Sequence, residues 1–134
     1  MSKQRFIERQ AECAAASGRL LEAVALPESE IVRDASIQRF EFTFELVWKT
    51  LKLHFERQGL MCGGPRPAIK MAFAAGLIPS QEETDLWLAM LEDRNLTSHA
   101  YDEALSKRIF SNIRSQYAPM LRGMNQTIQT LTWD

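Results

Sequence analysis

The amino-acid sequence predicts an all-α protein, folded as an up-and-down antiparallel bundle of four long helices and one short helix. Three observations support this prediction. Apolar residues recur at intervals of three and four positions, which places them on one face of a helix. Strand-like alternation of apolar and polar residues is nearly absent. Glycine and proline, which interrupt helices, fall in a few clusters between the periodic segments.

The first two helices are predicted over about 3–25 and 29–58. Phe6, Cys13 and Leu20 fall near one face of the first helix, and Pro27 ends it. The second helix carries one apolar stripe, formed by Ile37, Phe40, Phe44, Val47, Leu51 and Phe55. At about 1.5 Å per residue this helix would be roughly 40 Å long, which exceeds the core of a small domain. Part of it is therefore expected to pack against a second copy of the chain.

A short helix and two further long helices complete the pattern. The short helix is predicted over 67–75, after a loop over 63–67, and Ser80 with Glu83 forms a capping box for the next helix. The apolar face of that helix consists of Leu86, Trp87, Met90 and Leu91. Asp102 caps the last helix, whose stripe consists of Leu105, Ile109, Ile113, Met120, Met124 and Ile128. Pro119 lies inside this stripe and predicts a kink or a break.

Length and composition indicate one domain over 1–134. The net charge of −1 and the pI of about 6.1 are weak evidence against tight binding of nucleic acid, and no DNA partner is expected. No apolar run approaches the ~18 residues of a membrane span, and no signal peptide is expected. The two cysteines form no recognisable disulfide framework, so we expect a cytoplasmic protein. The spacings of the cysteines and histidines fit no known zinc pattern, so no metal site is expected. No cofactor is expected either.

The segment whose side chains are best suited to catalysis or phosphate binding runs from Arg94 to Tyr101, between two predicted helices. Arg94 offers a permanent cation whose forked donors suit a phosphate group. His99 belongs to the one residue type that exchanges protons near neutral pH. Tyr101 supplies a hydroxyl that can accept a transferred group or form a hydrogen bond.

Spacing alone leaves the meaning of this segment open. Arg94 and His99 are five residues apart, so about 140° of helix surface separates them on a straight helix. They converge only if the helix ends between them, for which Thr97 and Ser98 are suitable, or if a symmetric partner completes the site. From spacing alone the favoured interpretation is structural, with Arg94 at the helix dipole, His99 in a turn and Tyr101 packed on the bundle.

The order of Arg94, four residues, His99, one residue and Tyr101 resembles the signature of the HEPN superfamily, and of its HepT-like toxin branch. The resemblance extends beyond this motif. Four further features are similar, in the same order, to the nucleotidyltransferase substrate-binding proteins of that superfamily, namely 39–49, 65–70, 76–78 and Trp87.

The resemblance implies a helical bundle that forms a homodimer, with Arg94 and His99 of both subunits in one cleft. It also implies metal-independent cleavage of RNA. In that reaction His99 would exchange protons with the ribose, and Arg94 would stabilise the charge on the phosphorane. Asn95 would orient either the phosphate or His99.

Two carboxylates of the second helix are candidates for the same cleft. Glu41, Glu45 and Lys49 are spaced i, i+4 and i+8, which is most simply a solvated charged face of a helix. A functional interpretation places Glu41 or Glu45 in the cleft, where it would orient Arg94.

Tyr101 has a separate implied role. Toxins of the HepT branch are paired with a small nucleotidyltransferase antitoxin of the MNT type, and the resemblance implies that this partner adds AMP to the tyrosine of the motif. An adenylate on Tyr101 would bring negative charge and bulk beside Arg94 and His99. It would therefore repel the phosphates of RNA and occlude the cleft.

Three functions remain open from the sequence. The preferred one is a ribonuclease toxin that AMPylation of Tyr101 neutralises. The second is a non-catalytic substrate-binding subunit of a two-component nucleotidyltransferase, and the third is a structural helical dimer. The intact Arg94, His99 and Tyr101 favour the first function over the third, but they do not separate the first from the second.

Overall fold

The structure, a computed structural model that describes residues 2–134, contains only helices and the turns between them. The helices are α1 (Lys3–Val24), α2 (Glu30–Arg57), α3 (Pro65–Ala74), α4 (Gln81–Leu96), α5 (Glu103–Asn112) and α6 (Ala118–Thr130). A 3₁₀ turn (Thr97–His99) follows α4, and a π-helical turn (Ile113–Tyr117) joins α5 to α6. Because α5, the π turn and α6 are continuous, the predicted four long helices and one short helix are confirmed. Within residues 2–134, no helix has the length and apolarity to cross a membrane.

Side-chain caps fix where four of the helices begin, and Ser2 caps α1 by accepting a hydrogen bond of 3.1 Å from the backbone N–H of Arg5. Ser29, Ser80 and Asp102 each accept a hydrogen bond of 3.1 Å from the backbone N–H three residues further on. Each bond satisfies an N–H group that has no partner inside its helix. The starts that the sequence predicts for α2, α4 and α5 are therefore confirmed, to within a residue.

Two predictions that concern proline need correction. The short helix α3 begins at Pro65, two residues before the predicted start, because proline in a first helical turn gives up no hydrogen bond. Pro119 does not break the last helix, since Ala118 keeps helical torsion angles of φ −62° and ψ −45°. The irregularity lies just before it, in the π turn Ile113–Tyr117.

Helix α2 is the centre of the bundle and contacts each of the other helices. Two contacts show that α1 packs antiparallel to it. Cys13 Sγ lies 3.2 Å from Thr50 Oγ1, and Arg39 Nη1 donates to the carbonyl of Arg19 at 2.7 Å. The whole predicted stripe of α2 is buried within this single chain. The apolar face of α2 therefore needs no second copy to cover it, and homodimerisation stays a prediction.

One residue of the predicted apolar faces lies elsewhere. Leu86 is 40% exposed, whereas Trp87, Met90 and Leu91 are buried. Leu86 lies about 100° around the helix from Trp87, because each residue of an α-helix turns by that angle. That rotation directs Leu86 to an open groove between α4 and α6 instead of to the core.

Candidate active site

The candidate site forms where α4 ends and its last turn tightens. Thr97 Oγ1 donates to the carbonyl of Arg94 at 2.6 Å, and Ser98 Oγ donates to the carbonyl of Asn95 at 3.3 Å. These bonds occupy carbonyl groups that have no partner at a helix end. The prediction that the helix ends between Arg94 and His99 is confirmed.

Arg94 lies between α4 and α2, with its side chain 25% exposed. Its Nε is 3.3 Å from Glu45 Oε1, and its Nη1 is 3.6 Å from Glu41 Oε2. Nη1 also donates weakly to Thr97 Oγ1 at 3.4 Å. Both candidate carboxylates therefore contact Arg94, where the functional interpretation of the sequence required only one of them. Their function in orienting Arg94 stays a prediction.

The two ion pairs do not use all the hydrogen-bond donors of the Arg94 guanidinium. The Nε–H of Arg94 is buried and makes no hydrogen bond within residues 2–134, although Glu45 Oε1 lies 3.3 Å from Nε. A guanidinium held by charge at 3.3–3.6 Å, on a side chain that is 25% exposed, retains donors that a further anionic acceptor can use. The phosphate of a nucleic acid is such an acceptor.

His99 and Tyr101 lie on the surface beside each other. His99 Nδ1 is 3.4 Å from the Tyr101 hydroxyl, and the two rings meet edge to face with centroids 6.0 Å apart. Tyr101 is 85% exposed, so it does not pack on the bundle. Its hydroxyl is therefore open to a reagent from solvent.

The structure groups the candidate residues in two sets. Arg94 lies with Glu41 and Glu45, and His99 lies with Tyr101. Within the described part of the chain, no hydrogen bond or ion pair joins Arg94 to His99. The side chain of Asn95 is exposed and makes no hydrogen bond there either, so its predicted orienting role stays a prediction.

A cavity of about 420 Å³ opens next to Tyr101, between the start of α2 and the start of α5. Its charged lining is mostly acidic, with Glu30, Asp34 and Glu103 against the single cation of Arg33. Arg33 is already paired with Glu28 at 3.0 Å. The surroundings of the Tyr101 hydroxyl therefore carry net negative charge.

Sequence reasoning missed Asp93, the residue that anchors this segment from inside. Asp93 is 5% exposed and accepts three hydrogen bonds from the last long helix. The donors are Arg108 Nη2 at 3.0 Å, Asn112 Nδ2 at 3.1 Å and the Tyr117 hydroxyl at 2.6 Å. A signal existed in the sequence, because Asp93 lies three residues after buried Met90, on the predicted inner face of α4.

The π turn brings two of these donors to one carboxylate oxygen. Asn112 and Tyr117 both contact Asp93 Oδ2, although they are five residues apart in sequence. On a regular α-helix that spacing separates two side chains by about 140°. The extra residue of a π turn reduces this angle, and such turns often occur at functional sites. The π turn before Pro119 therefore allows both side chains to reach Asp93 Oδ2.

Burial raises the pKa of the Tyr117 hydroxyl, and its hydrogen bond to the Asp93 carboxylate raises that pKa further. The hydroxyl therefore stays protonated at physiological pH and remains a donor to Asp93. In contrast to exposed Tyr101, Tyr117 is closed to reagents from solvent, since it is only 3% exposed.

We expect Asp93→Ala to lower the free energy of unfolding by about 1–3 kcal/mol, because the buried Tyr117 donor and the partly buried Asn112 donor lose their acceptor. Urea denaturation of the purified variant measures this loss. Asp85→Ala is the matched control, since Asp85 lies on the exposed face of the same helix. The control is expected to change stability by no more than about 0.5 kcal/mol. Equal stability of the two variants would contradict an anchoring role for Asp93.

Comparison with known families decides the classification. A family model described as nucleotidyltransferase substrate binding protein like matches residues 6–130. The chain belongs to this family. The match spans α2 to α6 completely, and it includes every candidate residue of this member of the family, from Glu41 to Tyr101.

Two individual proteins resemble this family member. The probable ribonuclease HepT of Haemophilus influenzae is 28% identical over 95 residues, and the match covers 64% of this chain and 63% of that relative. The match thus spans a little under two thirds of the length of HepT. A crystal structure of a protein from Thermus thermophilus is 37% identical, with a TM-score of 0.79 over 87% of this chain and 98% of that one. The all-α bundle is therefore shared with a solved structure.

Proposed function

We propose that the protein is a HEPN-type endoribonuclease of the HepT kind, the toxin of a toxin–antitoxin pair. The observation that carries the proposal is the surface position of His99 and Tyr101, next to the end of the helix that holds Arg94. A structural role in packing would bury these side chains, yet Tyr101 is 85% exposed. The similarity to a HepT ribonuclease supports the same conclusion.

The chemistry follows from the residue types. His99 takes the proton from a ribose 2′-hydroxyl, and the freed oxygen attacks the adjacent phosphorus. The bond from phosphorus to the 5′-oxygen then breaks, which leaves a 2′,3′-cyclic phosphate. A second acid protonates the departing 5′-oxygen. Arg94 stabilises the negative charge that gathers on the phosphorane, and no metal takes part.

A homodimer supplies the second acid in this proposal. His99 and His54 are the only histidines of the chain, and His54 lies near the C-terminal end of α2. A two-fold axis next to His99 would bring the partner's His99 into the same site, and symmetric dimers place equivalent residues together in this way. The same axis would bring Arg94 of one subunit towards His99 of the other, a contact that a single chain lacks.

The proposed control is transfer of AMP to Tyr101 by a partner nucleotidyltransferase of the MNT type. The Tyr101 oxygen would attack the α-phosphorus of ATP, pyrophosphate would leave, and the hydroxyl proton would pass to a base of the transferase. The family description supports a partner of this class. The adenylate would carry negative charge to the site and would exclude RNA from it. All these steps are proposed to take place in the cytoplasm.

The family description also supports a second candidate function, a non-catalytic subunit that presents a substrate to a nucleotidyltransferase. The exposed Tyr101 hydroxyl is compatible with it, since an AMP acceptor is itself a transferase substrate. The acidic lining around Tyr101 does not favour RNA at that position. Only an activity assay separates the two functions.

The deciding experiment is an RNA cleavage assay with the purified chain in EDTA, after mass spectrometry has shown that it is free of adenylate. Cleavage, with products that end in a 2′,3′-cyclic phosphate, is the expected result. Absence of cleavage by a folded dimer would contradict the ribonuclease and favour the substrate-binding subunit. Size-exclusion chromatography with light scattering measures the dimer in the same sample.

A further inference from the structure

A second surface suited to nucleic acid lies away from His99, in a groove between α1 and α2. The groove has a volume of about 150 Å³. Four cations and one carboxylate surround a tryptophan there: Arg5, Arg9, Lys49, Lys52, Glu56 and Trp48. The chain as a whole has a net charge of −1, so this basic groove is a local departure from its average charge.

Two of the four cations form no ion pair within residues 2–134. Among residues 2–134, neither Arg5 nor Lys52 has a carboxylate within 4.0 Å, the distance that defines an ion pair. Arg9 pairs with Glu12 at 2.8 Å, and Lys49 pairs with Glu45 at 3.7 Å. Such surface pairs contribute about 0–1 kcal/mol, so a phosphate can replace the carboxylate at little cost.

Trp48 adds an aromatic surface to the basic groove. Its side chain is half-buried, and its Nε1 donates to Glu45 Oε2 at 3.0 Å, which fixes the orientation of the indole. Lys49 Nζ lies 5.9 Å from the ring centroid. Cations that contact a backbone, together with an aromatic ring on which a base stacks, are the combination that binds single-stranded nucleic acid without sequence preference.

Glu45 joins the basic groove to the candidate active site. It contacts Arg94 at 3.3 Å on one side and Trp48 and Lys49 at 3.0 and 3.7 Å on the other. Along α2, Glu45, Lys49 and Lys52 follow one another at intervals of four and three residues, so they lie on one face of the helix. A strand that leaves Arg94 along α2 therefore enters the basic groove after about 10 Å.

We propose that the basic groove binds the single-stranded RNA that flanks the phosphodiester held at Arg94. The inference rests on the proposed ribonuclease function and adds a binding subsite to it. Arg5 and Lys52 contact phosphates, and Trp48 stacks against a base. A double-stranded substrate does not fit this proposal, because its bases are not available for stacking.

The test measures affinity for a short RNA whose 2′-hydroxyls are methylated. Methylation removes the attacking nucleophile, so fluorescence anisotropy reports binding without cleavage. The double variant Arg5→Ala, Lys52→Ala is compared with Lys70→Ala, which removes an exposed lysine of α3, outside the groove, that forms no ion pair within residues 2–134. The assay is repeated over a range of salt concentrations, since the salt slope counts the phosphates that are neutralised.

We expect the double variant to lower the salt slope of log K by about 1.4, because each phosphate contact on a single strand contributes about 0.7. Trp48→Ala is expected to weaken binding by about 5–150-fold, whereas Trp48→Phe retains most of the affinity. Lys70→Ala is expected to match the wild type. Equal slopes and affinities for the wild type and the double variant would overturn the proposal.

The outcomes separate this inference from the proposed function. RNA cleavage by the wild type together with unchanged binding by the double variant would overturn the groove and leave the ribonuclease standing. Binding through the groove without any cleavage in EDTA would overturn the ribonuclease and leave the groove standing. If the double variant loses affinity for an acidic partner protein but keeps its affinity for RNA, the groove binds protein, and the proposal of an RNA site is overturned.

Discussion

Replacement of His99 by alanine is expected to lower the rate of RNA cleavage by about 10²–10⁴-fold, the usual contribution of a general acid or base. His99 is exposed, so its removal leaves no cavity in the core, and the fold is expected to survive. The loss should appear in kcat, because His99 moves a proton during reaction and does not hold the RNA. Multiple-turnover cleavage in EDTA at saturating RNA measures kcat.

His54→Ala is the matched control, since His54 and His99 are the only histidines of the chain. The His54 ring lies in α2, 5.3 Å from the ring of Phe55, and burial lowers the pKa of its imidazole. It is far along α2 from Glu41 and Glu45, which contact Arg94. We expect this variant to keep most of the activity. A loss much below 10²-fold in a folded, dimeric His99→Ala variant would remove His99 from the acid–base role.

Much of the fold can be predicted from local sequence, because hydrogen bonds from a few capping residues determine where helices begin. Ser80 and Asp102 bond to backbone N–H groups three residues further on, and the sequence therefore shows where α4 and α5 begin. Pro119 is the instructive exception. A proline inside a helix predicts a kink or a break, but the helix continues and the disturbance moves into the preceding π turn.

The π turn also makes contacts between residues that are distant in the sequence. The π turn directs Asn112 and Tyr117 to Asp93, which lies 24 positions before Tyr117. No local pattern encodes which carboxylate receives those donors, since the partner is chosen by the packing of α4 against the last long helix. Local propensity therefore predicts the helices, whereas the partner that the π turn contacts depends on tertiary packing.

The candidate site is likewise only partly predictable from local sequence. Thr97 and Ser98 indicate that the helix ends between Arg94 and His99, and it does. The pairing of Arg94 with Glu41 and Glu45 joins residues some 50 positions apart, so the sequence only offered those carboxylates as candidates. Within residues 2–134, no hydrogen bond or ion pair joins Arg94 to His99. The other route to their convergence that the sequence allowed, a symmetric partner, stays a prediction.

Replacement of Tyr101 by phenylalanine is expected to abolish AMP incorporation by a cognate nucleotidyltransferase. The variant lacks the oxygen that forms the new bond to the α-phosphorus. Ribonuclease activity should stay largely intact, because the hydrogen bond lost is only the long 3.4 Å contact with His99 Nδ1. Intact-mass spectrometry after incubation with the transferase and ATP measures the modification, and the cleavage assay measures the activity.

Tyr117→Phe provides the control, since Tyr101 and Tyr117 are the only two tyrosines of the chain. Tyr117 is buried and donates to Asp93 at 2.6 Å, so it is closed to the transferase and its replacement should leave AMP incorporation unchanged. The AMP-modified wild type should lose cleavage, whereas Tyr101→Phe should keep it in the presence of the transferase and ATP. Adenylate found on another residue of Tyr101→Phe would contradict the assignment. Full cleavage by AMP-modified wild type would contradict the idea that the modification silences the site.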